Sequence, residues 1–197
     1  MLKKLLIIAI PVLLIGCMPS HKLALLDQKY PVVYEDLSLL IDNVAVIDDR
    51  PEISYRDIEI PTMSWPWTED IVCPPLSKAQ EELIINEVAR HTTESGKKVN
   101  AVVYIVEGEK RFEGLIWGEL EYVRVNLKIN LYDSMHQPFY LSVSSDTFFE
   151  VKSFDASDDY IEQLYCKAIR YSIFQCFKQF KIAHNDQPPP ADSDDSI

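Results

Sequence analysis

Glycine is scarce in this chain. Five glycines among 197 residues are too few and too scattered for a Gly-rich loop that cradles phosphate on backbone N–H groups. Basic residues are also outnumbered: 19 Lys and Arg face 31 Asp and Glu, for a formal charge of −12. Phosphate backbones are held by clustered cations, so no nucleic-acid partner is expected. Electrostatic adhesion to anionic lipid is disfavoured for the same reason, and the acidity reads simply as solubility. No C-x-x-C pair occurs, and the four histidines at 21, 91, 136 and 184 lie at ligand spacing from no cysteine or other histidine. Neither a metal nor another cofactor is therefore expected. A G-x-S-x-G elbow is absent, and His91 and His136 have no motif to join them to a nucleophile, so no catalytic residue is assigned. With 31 acids some carboxylate pair always exists, so a glycosidase-type pair carries no information. Asp48-Asp49 reads as an acidic turn that ends a strand, not as a calcium loop. Finally, no apolar run reaches the ~20 residues of a spanning helix.

What the chain does have stands at its start. Lys3 and Lys4 form a positive n-region, Leu5 to Ile15 is an apolar stretch interrupted only by Pro11, and Leu14-Ile15-Gly16-Cys17 follows. The stretch is too short to span, and it lacks the A-x-A-like site of an ordinary secretory signal. It resembles a bacterial lipoprotein signal peptide with its lipobox. The resemblance implies a diacylglycerol on the Cys17 thiol, cleavage after Gly16, and Cys17 as an acylated N-terminus. Residue 18 is Met rather than Asp, which in the enterobacterial sorting scheme implies passage to the outer membrane, with the domain facing the periplasm. Val44-x-Val46-x-Asp48-x-Arg50 after the lipobox further resembles the YajG-type small outer-membrane lipoproteins. Removal of residues 1–16 leaves 17 basic residues against 31 acidic ones, a formal charge of about −14.

The expected organisation is a signal peptide over 1–16, a lipidated tether over 17–40 that ends in a short ordered segment, one domain over 41–184 and a disordered acidic tail over 185–197. The tail has three consecutive prolines, four aspartates and no basic residue. Within the domain, Val44-Ala45-Val46-Ile47 predicts a strand over 42–48. A Pro-rich connection over 49–76 follows, with a short edge strand near Tyr55–Ile60. Ser77 with Gln80 makes a capping box for a helix whose apolar positions are Leu83, Ile84, Val88 and His91, stopping at Gly96. Strands are expected over 99–106, 112–132 and 139–151, the last two joined by a hairpin loop over 133–138. In the middle strand the buried parity switches from even (Phe112, Ile116, Leu120, Tyr122) to odd (Val123, Val125, Leu127, Ile129, Leu131), which predicts a bulge near 118–122. A helix over 157–183 carries the stripe Ile161, Leu164, Tyr165, Ala168, Ile169, Ser172, Cys176 and Phe180. The fold class is α+β: two layers, a mainly antiparallel sheet (a three-strand meander plus one earlier strand), with two helices on one face.

Two further features carry expectations. Met63-Ser64-Trp65-Pro66-Trp67 places two tryptophans beside a proline. Trp65 and Trp67 are the candidate partner-binding pair, because Trp is enriched at interface hot spots; the alternative is that both indoles fold back as a lid on the core. Trp117 reads as a core residue or as packing at a bend. Among Cys73, Cys166 and Cys176, the oxidising envelope permits one disulfide, and Cys73–Cys166 is favoured over Cys73–Cys176, with three free thiols as the remaining alternative. The functional expectation is a non-enzymatic, membrane-anchored lipoprotein that binds or supports another envelope component, protein or polymer, its own contact with the membrane being the lipid on Cys17. An envelope hydrolase with an unrecognised site is the alternative.

Overall fold

A computed structural model describes residues 19–34, 37–61, 65–133, 141–153 and 157–185. Among the described residues, three helices and five strands follow one another as α1 (Pro19–Lys29), β1 (Leu39–Asp48), β2 (Glu69–Val72), α2 (Lys78–Ala89), β3 (Lys97–Leu115), β4 (Gly118–Asp133), β5 (Leu141–Ser153) and α3 (Asp158–Asn185). The fold is α+β with a mostly antiparallel, open sheet in the order β1-β3-β4-β5. β1 runs parallel to the first half of β3, while β2 pairs antiparallel with its second half. Two short strands thus share one edge of a long one. α3 packs on β4 and β5, and α2 packs on β1 and α3.

Local sequence accounts for much of this. Ser77 accepts from the Gln80 N–H while the Gln80 side chain accepts from the Ser77 N–H, so the capping box forms as expected. Ser77 and Gln80 thereby satisfy two donors that the first turn of a helix leaves open. At the other end the structure departs from expectation. α2 stops at Ala89, not at Gly96, because Thr92 and Thr93 are captured by β1. Ile41 N–H donates to Thr92 Oγ1 at 2.8 Å, and the Thr93 N–H donates to Leu39 O at 2.7 Å. α3 begins after Ser157, whose hydroxyl accepts from the Tyr160 N–H. All eight positions of its expected stripe are buried, together with Ile173 and Phe177.

The single strand expected over 112–132 is two strands. Leu115 pairs with Gly118 across a two-residue turn, Ile116-Trp117. Paired positions in such a hairpin sum to an odd number, so the buried face must switch parity across it: Phe112 lies opposite Glu121, and both are fully buried. A bulge does exist, but on β3, where the register shifts between Ile105 and Glu107. It returns the pairs to like parity, Ile105 with Leu127 and Val103 with Ile129. The turn closes at Gly118, whose φ of 109° only glycine adopts without strain. The other face of β4 carries Arg124, Asn126, Lys128 and Asn130, all at least partly exposed as expected.

Two more corrections concern the connections. The edge strand lies at Glu69–Val72 instead of 55–60. The 55–60 segment is fastened beside it by side chains: Arg56 grips Asp70 at 2.7 and 2.5 Å, and the Glu59 N–H donates to the same carboxylate at 2.7 Å. The tether expected over 17–40 contains α1, which lays Leu23 and Leu26, with Tyr30 just beyond it, against the core. The expectations for residues 1–18, most of the loop over 133–138 and the tail beyond Asn185 fall outside the described residues.

Candidate functional site: a tryptophan tip

The chain has three tryptophans, and all three are solvent-exposed: Trp65 at 68%, Trp67 at 84% and Trp117 at 87%. Burial of a large indole is normally among the strongest contributions to a core, so three outward-facing copies stand out. Chain topology collects two of the loops. Trp117 and the exposed Ile116 form the β3–β4 turn. Beside that turn, the Trp67 N–H donates to Gly114 O at 2.9 Å, and the Gly114 N–H donates back to Thr68 O at 2.7 Å. These two bonds continue the β2–β3 ladder, in which Glu69 pairs with Glu113. Trp65 joins them through its carbonyl, which accepts from the Thr68 N–H at 3.1 Å. A cleft of about 340 Å³ lies between the two loops, lined by Pro66, Trp67, Glu113, Gly114, Ile116 and Trp117.

Trp67 holds its backbone at φ 68°, a left-handed conformation that costs an L residue roughly 1–2 kcal/mol. The flanking hydrogen bonds to Gly114 hold it there and turn the indole away from the core. The lid alternative for Trp65 and Trp67 is thus overturned: neither indole folds back on the core. Trp117 is likewise at a bend but not in the core.

The polar groups around the tip are engaged with one another. Arg111 bridges Glu69 and Glu113 and stacks over the Tyr122 ring at 4.6 Å. Gly114 spends both backbone groups on Trp67 and Thr68. Among the described residues none of the three indole N–H groups donates a hydrogen bond. The tip therefore presents apolar, aromatic area beside a cluster in which one guanidinium serves two carboxylates.

The other groups singled out by sequence occupy closed environments. Cys73, Cys166 and Cys176 are all free thiols, so the favoured Cys73–Cys166 bridge is not formed. Glu162, one helical turn before Cys166, faces the Cys166 sulfur at 3.5 Å and also binds Lys110 and Gln80. Burial pushes the Cys166 thiol up to about 11 and raises Cys176 further. Cys73 is raised by burial and by Glu109. All three stay protonated, the form that does not attack. His91 is buried, stacked on Phe177 with ring centroids 4.1 Å apart, and packs in the core instead of lying at the surface. His136 and Cys17 lie outside the described residues.

Asp48 and Arg50, quoted above for their spacing, form a lock where β1 ends. Arg50 donates from Nε and Nη2 to the two Asp48 oxygens at 2.6 and 2.5 Å, and from Nη1 to Gly108 O at 3.3 Å. A side chain at position 108 would collide with the Tyr165 hydroxyl and Arg50, so glycine is required beside the bulge. The hydrogen bonds from Arg50 hold the Asp48 carboxyl below its ordinary value of 3.8. A depressed folded-state pKa contributes stability that is fully present above the unfolded value and is lost as pH falls through the folded one. Asp48→Asn should therefore cost about 1.5–3 kcal/mol near neutral pH, the range for hydrogen bonds to charged groups. The cost should shrink as the pH drops below the ordinary carboxylate range. Urea denaturation of both proteins across that range checks this; a gap that stays constant with pH would contradict it.

No protein-family model matches the chain, and no curated protein matches it. Among solved structures it is similar to a Xanthomonas campestris protein described as DUF330, at 12% identity and a TM-score of 0.43, over 81% of this chain and 91% of that one. It is also similar to a minor lipoprotein from Acinetobacter baumannii, at 12% identity and a TM-score of 0.33, over 80% of this chain and all of that one. At these scores the likeness carries no weight for what this chain does. Among the described residues no helix is long and apolar enough to cross a membrane.

Proposed function

We propose that the chain is a non-enzymatic lipoprotein, anchored through Cys17 to the periplasmic face of the outer membrane, whose tryptophan tip docks on another component of the envelope. The carrying observation is that Trp65, Trp67 and Trp117 are all turned to solvent on two adjoining loops fastened by backbone hydrogen bonds. Exposed aromatic clusters mark docking surfaces far more often than they mark stability. The lipobox supports the address: a domain held at a bilayer by acyl chains needs no spanning helix of its own.

Oxidative footprinting tests the docking. In native envelopes the three indoles should be shielded from oxidation relative to the same protein purified in detergent, while the exposed Tyr55 on a separate loop should react alike in both. Equal oxidation of the tryptophans in the two preparations would contradict the proposal.

A further inference from the structure

The direction of α1 relates the anchor to the tip. Asp27 pairs with Lys167, and Tyr30 meets Tyr171 with ring centroids 5.3 Å apart. As the chain advances from 27 to 30, its partners on α3 advance from 167 to 171, so the last turn of α1 and the residue after it follow α3 in the same sense. Pro19, the first residue of α1, therefore points back toward the first turns of α3. Those turns follow directly on the end of β5, where Ser153 pairs with Glu119 beside the Ile116-Trp117 turn. The chain enters the domain at the end that carries the tryptophans. In the sequence, Cys17 stands two residues before Pro19.

From this shared end we infer that the component on which the tip docks is the lipid bilayer that holds the Cys17 acyl chains: Trp67, Ile116 and Trp117, with Trp65 beside them, enter its interfacial zone. The inference rests on the lipoprotein reading above and names the partner of the same site. Three observations favour lipid over a protein or a polymer. The anchor confines this end of the domain to within a few residues of the bilayer. Indoles settle at the water–hydrocarbon boundary, where an apolar body and a single N–H donor both find what they need. Sugar recognition would call for free polar groups beside the rings, yet Glu113 is bridged by Arg111 and Gly114 has used both backbone groups. The acidic surface, about −14 after processing, specifies a zwitterionic lipid face. Contact driven by aromatic burial should be insensitive to salt.

Because no other tryptophan exists, intrinsic fluorescence reports this tip alone. The acylated full-length mature protein would be reconstituted into phosphatidylethanolamine–phosphatidylcholine vesicles carrying bromine at shallow or deep acyl positions. The inference predicts a blue-shifted emission, protection from acrylamide, and loss of emission that is greater with shallow bromine and unchanged by added salt. A Trp65→Phe, Trp67→Phe variant, altered only at exposed positions, should fold alike and still show quenching of Trp117. Acylated protein that floats with the vesicles while its indoles stay red-emitting and open to acrylamide overturns the membrane contact and leaves the anchor standing. Shielding in native envelopes but not in pure lipid overturns it in favour of a protein or polymer partner. A Cys17 without acyl groups removes both readings.

Discussion

Leu127→Ala should destabilise the domain by about 2–5 kcal/mol, the range for truncating a buried leucine, whereas Lys128→Ala next to it should change stability by less than about 0.5 kcal/mol. Leu127 is fully buried on the helix-facing side of β4, between Ile105 on β3 and Ser145 on β5. It belongs to the core that includes Leu164, Ala168 and Ile169 of α3. The removed methyl groups lose their transfer free energy, and the cavity left between a sheet and a long helix has little freedom to collapse. Lys128 projects from the opposite face, its ammonium about 6.0 Å from the Tyr104 ring centre. Chemical denaturation of the two variants reads this directly. Equal effects would mean that the buried face of β4 has been assigned the wrong way round.

The same pair shows what sequence could reveal. Alternation from Val123 to Leu131 defines one buried face whatever the partners are, and the stripe of α3 defines the surface that covers it; both are local periodicities. The β3–β4 turn was not legible, because its two residues are Ile116 and Trp117, not the Asn-Gly or Asp-Gly that usually announce a hairpin. A parity switch can come from a bulge or from a two-residue turn, and only pairing partners distinguish them. The bulge between Ile105 and Glu107 falls where the apolar run ends, and Gly108 beside it is the one local sign, since a lone glycine in a strand fits a bulge or a close approach alike. β2 was missed for a related reason: at four residues it is too short for a period, and it exists because β3 offers an unpaired edge beyond β1.

The second large effect concerns the anchor. Cys17→Ser should abolish fatty-acid labelling and leave the unprocessed precursor, since the hydroxyl of serine does not replace the thiol that accepts the diacylglycerol. The loss should be complete rather than partial, because acylation and cleavage follow one another on a single residue. Metabolic labelling with a fatty acid and the apparent mass of the product check it. The domain itself should fold unchanged, as Cys17 precedes α1 and the core begins with Leu23 and Leu26. Labelling of the serine variant at the level of the original would contradict lipidation at this residue.

Legibility at the tip was divided along similar lines. Trp65 and Trp67 stand out in the sequence because they flank Pro66 within a proline-rich connection. Trp117 did not, because inside an apparent strand an aromatic residue reads as core. What unites the three is the ladder that sets Trp67 against Gly114, a contact across 47 positions of sequence that no local pattern carries. The thiols of Cys73, Cys166 and Cys176 are free in the structure, a pairing question that spacing along the chain does not decide.

The N-terminal peptide of the protein isolated from its own membranes tests the central claim most directly. Mass spectrometry should find a chain that begins at Cys17 and carries the mass of a diacylglyceryl group with its fatty acids. A chain that begins at Met1, or at Cys17 without the lipid, would contradict the account.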